Sequence, residues 1–286
     1  MVYFCADDYG VSREGNRRIE ACVKHGALNK VSVLPNGDLS GFPACFSGAK
    51  VALALHVNLV EGRPLSAPEE IPLLVTEDGR FRHSFVGLFF LSLSGKGQEL
   101  ERQLCHEIRT QIRFWKETVS DDNPIFLDSH QHTHMIPPVL KSLLRAAREE
   151  GVKIGYLRIP AEPILPYLCT PSLYFSFPPS GIVKQWLLKI LALANRRELE
   201  KAQIPSAFFM GVLFSGRWKK ESVEKLLAQH LKLAGRCGKD VEIGFHPGGS
   251  KEGEGLMEGS REDFRAFYSS PRRDTEFEIL MNSEPE

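Results

Sequence analysis

The sequence predicts an α/β protein of repeated βα units around a parallel sheet, with about seven strands closing toward a barrel. Short apolar runs alternate with helix-period segments along the chain. Four of those runs end in a carboxylate or an imidazole, at Asp7-Asp8, His56, His130 and His246. A parallel barrel gathers the C-terminal ends of its strands around one opening, so this repetition has a structural meaning.

The strands are expected near 2–6, 31–35, 51–56, 124–128, 154–158, 207–213 and 241–246. Between the first two, Glu14 to His25 carries Ile19, Cys22 and Val23 at helical spacing, and Gly26 supplies the stop. Gln98 to Thr118 has a buried stripe of Leu100, Leu104, Ile108, Ile112 and Trp115. Pro137-Pro138 can open a helix, and Leu140, Leu143, Leu144 and Ala147 continue it to Gly151. Lys219 to Ala234 predicts another. Phe208-Phe209-Met210 in the sixth run would also suit a helix.

Two stretches break the repeat, 60–97 and 160–181, and are expected as insertions over a rim that shape access to a site. Gly248 to Gly255 predicts a mobile loop that can cover that site. At 286 residues one domain is the expectation.

Lysine plus arginine equals aspartate plus glutamate at 36 each, which disfavours nucleic acid and anionic membrane surfaces and points to a small or neutral partner. Six cysteines without a C-x-x-C pair predict reduced thiols. Without a leader-like start, the expected location is cytoplasmic. The apolar stretch Ile182 to Ala194 is interrupted by Lys184 and Lys189 and predicts an amphipathic packed helix, not a membrane span. The sequence leaves the oligomeric state open, a homodimer included.

Asp8, His56 and His130 supply two imidazoles and a carboxylate, a set that holds a divalent metal while leaving positions for water and substrate. Taken alone, His56 after a strand is more often structural, and Asp7-Asp8 before Tyr9-Gly10 would pass for a solvated turn. His130-Gln131-His132-Thr133-His134 is the stronger local signal, because packing does not call for three alternating imidazoles. Spacing does not choose its ligand: an extended segment would align all three, a helical turn His130 with His134. His132 and His134 are candidates for substrate contact or for orienting neighbours, with Asp128 as their hydrogen-bond partner. His246 is placed to exchange a proton with a leaving group, and Arg158 to pair with Asp7 or orient a carboxylate. His25, His83, His106 and His230 lack such a context.

Ala6-Asp7-Asp8-Tyr9-Gly10, Asn36-Gly37, Leu55-His56-Val57-Asn58-Leu59 with Glu61-Gly62-Arg63-Pro64-Leu65, Asp128 through Met135, and His246-Pro247-Gly248 together resemble the YdjC/ChbG family of carbohydrate deacetylases. The ordered matches run from residue 1 to about 250 and weaken beyond 255; Tyr9 stands where the family usually has phenylalanine. The resemblance implies a distorted (βα) barrel like that of polysaccharide deacetylases and a divalent-metal centre on Asp8, His56 and His130. It further implies Asp7 as general base, and N-deacetylation of an acetylated sugar such as a chitooligosaccharide. Magnesium is the family's usual metal, whereas the donor set itself suits zinc, cobalt or iron. The rival expectations are a metal-dependent hydrolase of another amide or ester, and a sugar-binding or regulatory module without turnover.

Overall fold

A computed structural model describes residues 1–42, 46, 51–121, 123–249, 255–258 and 260–283. Seven strands form one parallel sheet: β1 (Val2–Tyr9), β2 (Lys30–Val33), β3 (Ala52–Val57), β4 (Ile125–Ser129), β5 (Ile154–Leu157), β6 (Phe208–Met210) and β7 (Val241–Phe245). Their spatial order is β5-β4-β3-β2-β1-β7-β6, the cyclic order of a barrel with its seam between β5 and β6. At that seam the Leu157 amide reaches across, donating to Pro205 O at 3.0 Å.

The helices are α1 (Arg13–His25), α2 (Phe85–Ser92), α3 (Gly97–Thr118), α4 (Pro137–Glu149), α5 (Leu165–Leu168), α6 (Pro179–Ala194), α7 (Arg196–Ala202), α8 (Lys220–Cys237), α9 (Glu262–Tyr268) and α10 (Arg272–Met281). Ser12 caps α1 by accepting from the Gly15 amide at 2.9 Å, and α4 opens on prolines as its sequence requires. Among the described residues no helix is long and apolar enough to cross a membrane. The predicted loop at 248–255 falls largely on residues 250–254, which lie outside the described residues.

Period-two alternation divides each strand between two environments. Phe4, Val31, Leu55, Leu127, Leu157 and Ile243 face the helices and build the main apolar core. The alternate positions point into the barrel and are largely polar: Cys5, Lys30, Ser32, His56, Asp128 and Glu242, with Arg158 just past β5, all buried. The barrel is therefore filled by a bonded polar plug. At its base Lys30 reaches Glu242 at 3.0 Å and lies 4.1 Å from the centre of the Tyr156 ring.

One element is shorter than its sequence suggests. The run expected over 207–213 pairs only as Phe208–Met210, because Gly211 turns to φ 148° and the amides of Gly211, Val212 and Leu213 donate to the Glu162 carboxylate instead of a ladder. Burial raises the Glu162 carboxyl above its usual range, while those donors favour its charged form.

Candidate active site

Adjacent residues of a flat strand point to opposite faces, so Asp7 and Asp8 would ordinarily be separated. Here the β1–β2 register slips between Ala6 and Tyr9, and Asp8 takes φ 68°, a left-handed conformation that aspartate tolerates better than most residues. Both carboxylates consequently line one cavity of about 260 Å3, together with His56, His130, His132 and His246. A larger groove of about 740 Å3, lined by Leu144, Ala147, Val152 and Pro205 among others, contains none of these groups.

Asp8, His56 and His130 converge at the floor of the cavity. Asp8 Oδ1 lies 3.2 Å from His56 Nε2 and 2.7 Å from His130 Nδ1, and one donor atom from each of the three residues falls within 4.8 Å of the others. β3 and β4 set His56 directly beside Asp128, and Asp128 Oδ1 stands 2.5 Å from His56 Nδ1. In a neutral His56 that contact places the proton on Nδ1 and turns the Nε2 lone pair toward the Asp8 side of the cavity, where a cation would take it, an arrangement typical of metal-binding histidines. His130 Nε2 is buried without a hydrogen-bond partner.

The charge balance also favours a cation. Arg158 is fully buried and forks onto Asp7 at 2.7 and 2.8 Å, while also contacting Asp128 at 2.9 Å and Glu242 at 2.6 Å. With Lys30, this bonded network sets two cations against four carboxylates, Asp7, Asp8, Asp128 and Glu242. Two negative charges remain when the histidines are neutral. Burial would lower His56, yet Asp128 and Asp8 carry it up to about 10, which measures how strongly this point attracts positive charge. Burial likewise opposes ionisation of Asp7 and Asp8, but Arg158 holds Asp7 below the usual carboxylate range, and His130 with His56 holds Asp8 well below it. The residues present therefore fit a divalent cation by donor chemistry and by charge.

The histidine cluster is neither extended nor a regular helical turn. Residues His130–Met135 form a kinked 3-10 segment in which Gln131 and His132 have φ of 53° and 61°. The three imidazoles consequently separate. His130 meets Asp8, and His132 projects into the cavity with its ring edge on Phe209. His134 turns back: its Nε2–H donates to Arg158 O at 2.8 Å and its Nδ1 accepts from Ser129 at 2.6 Å. Burial keeps His134 neutral, down at about 4, and pushes His132 well below the ordinary imidazole range. The expected partnership of Asp128 with His132 and His134 does not occur, because Asp128 is committed to His56, Ser32 and Arg158. His246 Nε2 stands 3.8 Å from Asp8 Oδ2, its Nδ1 is buried without a partner, and burial lowers it despite the pull of Asp8 and Asp7.

A family model described as YdjC-like protein matches residues 1–285. The chain belongs to the YdjC-like family. Within it, a carbohydrate deacetylase of Danio rerio is 30% identical over 158 residues, 55% of this chain and 49% of that protein. A chitooligosaccharide deacetylase of Klebsiella pneumoniae is 30% identical over 151 residues, 52% of this chain and 56% of its own length. This chain thus spans about half the length of the curated relatives it matches. A crystal structure from Enterococcus faecalis V583, provisionally named for cellobiose-phosphate cleavage, superposes with a TM-score of 0.63 at 20% identity, covering 98% of this chain and 90% of that one, and shares its fold.

The YdjC-like motifs end before the segment that completes the cavity. α9 contributes Phe264, Phe267 and Tyr268, and α6 contributes Lys184, whose amine burial lowers from its usual range. Phe264 and Phe267 set ring edges against His130 and His246, each with 5.1 Å between ring centres. The Tyr268 hydroxyl donates to Asp8 Oδ2, leaving Oδ1 turned to the histidines. None of these residues stands at a strand end, so no strand-end pattern marks them. Tyr268→Phe is expected to weaken divalent-metal affinity by about 10-fold or more while the fold is kept, as loss of an orienting partner does. Calorimetric metal titration checks this, and unchanged affinity would remove Tyr268 from the account.

Proposed function

We propose that this YdjC-like chain is a metal-dependent hydrolase that removes N-acetyl groups from acetylated amino sugars such as chitooligosaccharides, releasing acetate. The observation that carries the reading is the β1 bulge, which gives one cavity a carboxylate for a cation ligand and a second one beside it. A module that only bound sugar would need the cation ligands but not a second carboxylate facing the same cavity beyond its pairing with Arg158. The names of the relatives support the substrate class.

Asp8, His56 and His130 would hold the cation, with Asp128 and Tyr268 orienting them. A divalent ion there supplies Lewis acidity, lowering the pKa of water and polarising an acyl oxygen. Asp7, kept ionised and aimed by Arg158, accepts the proton of the attacking water. His246, in its imidazolium form, would deliver a proton to the amine nitrogen as the C–N bond breaks, so that acetate and a free amino sugar result. His132 and Lys184 face the same space and are placed to contact the sugar. At about 260 Å3 the cavity is smaller than drug-sized pockets of roughly 300–1,000 Å3. It suits a single acetylated sugar ring, with further rings outside.

Removing metal by chelation, then adding back magnesium, zinc, cobalt or iron singly, tests the reading with acetylated glucosamine oligomers as substrate. Free acetate should vanish on chelation and return with at least one metal. Acetate release that ignores chelation would contradict the metal role, and metal-loaded protein that binds the oligomers without releasing acetate would favour a binding module.

A further inference from the structure

Two stretches singled out in the sequence take no part in the chemistry above, Asn36-Gly37 and the segment from Asn58 to Arg63. Both belong to the support of the β1 bulge. Between Ala6 and Tyr9, β1 takes three residue steps where β2 takes two, from Val31 to Val33. The extra residue is absorbed at Asp8, which turns to φ 68°. A side-chain-bearing residue keeps such a conformation only where the chain around it is held.

Before Asp8 the sheet does the holding, since Ala6 pairs with Val31 on one side and Phe245 on the other. After Asp8 the task passes to individual hydrogen bonds. The Val11 amide donates to Asp8 O at 3.2 Å, and the Leu34 amide to Tyr9 O at 2.9 Å. Gly10 is gripped at both of its polar groups: its amide donates to Asn16 Oδ1 at 2.7 Å, and its carbonyl accepts from the Asp38 amide at 2.7 Å. Asn16 Nδ2 donates to Asp38 O at 2.9 Å and closes the ring. Gly37 permits this approach. A Cβ there would lie 2.6 Å from Gly10 O and 2.8 Å from Gly10 Cα, so any side chain would force the two backbones apart. Asn36 anchors the same turn from behind, donating to Arg63 O at 2.8 Å and Glu61 O at 3.1 Å and accepting from Asn58 Nδ2 at 3.0 Å.

We infer that Asn16 and Gly37 are positioning residues of the metal centre: by fixing the Gly10 peptide they impose the left-handed turn that aims the Asp8 carboxylate at His56 and His130. The inference rests on the cation reading of the cavity. Neither residue lines that cavity, so each acts through the backbone between Gly10 and Asp8. Asn16 is buried on α1, and its amide is satisfied by the very groups it holds. Asn29 makes the same kind of bridge on the same strand, accepting from the Phe4 amide at 2.9 Å and donating to Val2 O at 2.8 Å. It does so at the end of β1 remote from Asp8. Removing either bridge should cost stability, but only the Asn16 bridge should govern the metal.

Titration of the full chain with cobalt(II), read by calorimetry and by the visible absorption that reports ligand geometry, tests the inference. Asn16→Ala and Gly37→Ala should each raise the cobalt dissociation constant by about 10-fold or more, as loss of an orienting partner does, and should alter the visible spectrum. Asn29→Ala should lower the urea midpoint while leaving affinity and spectrum at their wild-type values. Should an alanine variant fail to fold by circular dichroism, Asn16→Asp decides, because it keeps an acceptor for the Gly10 amide and loses only the donor to Asp38 O; a smaller rise of the same sign is expected. Wild-type affinity and spectrum in the folded Asn16 variants, or an equal loss in Asn29→Ala, would overturn the inference and leave the cation reading intact. A wild-type chain that binds no cobalt would overturn the cation reading itself, and the inference with it.

Discussion

Asp7→Asn is expected to lower the rate of acetate release by about 10²- to 10⁴-fold, the range of a lost general base, while leaving metal stoichiometry at one per chain. The substitution is nearly isosteric. Arg158 keeps its contacts with Asp128 and Glu242, and Asp8, His56 and His130 keep their positions, so the loss should fall on kcat and not on the fold. Arg158 makes this assignment demanding, because two short hydrogen bonds hold the Asp7 carboxyl below its usual range and weaken it as a base. The same contacts keep it ionised and fix its direction. Steady-state kinetics together with metal titration check the expectation. A variant within threefold of the wild-type rate would transfer the base role to another group lining the cavity, such as His246, whose Nε2 stands 3.8 Å from Asp8 Oδ2.

Arg158→Met is expected to be the most destabilising single substitution in the barrel, by roughly 3–5 kcal/mol, the cost of stripping the partner from buried charge. The guanidinium touches Asp7, Asp128 and Glu242, all buried, and Lys30 alone cannot satisfy them from the base of the plug. Arg158→Lys should recover only part of the loss, since a single ammonium cannot reproduce the fork on Asp7 while reaching two other carboxylates. Urea denaturation monitored by circular dichroism reads this directly. The sign of its pH dependence follows from the lowered carboxyls of Asp7 and Asp128: their contribution is present above the unfolded carboxylate value near 4 and is lost as the pH falls below it. A loss under about 1 kcal/mol would mean that water already solvates this network.

The strands were legible because each couples a short apolar run to a turn or a polar end, and that coupling survives without knowledge of the neighbours. β6 was legible as a run but not in length, since what ends it is a carboxylate from Glu162, about fifty positions upstream. The strand-end acids and imidazoles were legible for the same reason as the strands. What period-two reading alone could not supply was the bulge: it predicts Asp7 and Asp8 on opposite faces, and only the register slip with Asp8 at φ 68° brings both into one cavity. The fate of His132 and His134 was equally hidden, because it depends on two left-handed residues in a segment without glycine. Tyr268 and Lys184 reach the cavity through tertiary packing of α9 and α6, a relation that neither periodicity nor motif spacing encodes.

The central claim is that one aspartate oxygen and two ring nitrogens, delivered by three strand ends, grip a single ion. Crystals grown with zinc or cobalt and measured at the metal's absorption edge test it most directly. The account predicts one anomalous peak at about 2.0–2.2 Å from a carboxylate oxygen of Asp8 and from one nitrogen each of His56 and His130. A peak held elsewhere, or no peak in protein whose metal content is confirmed as one per chain, would contradict it.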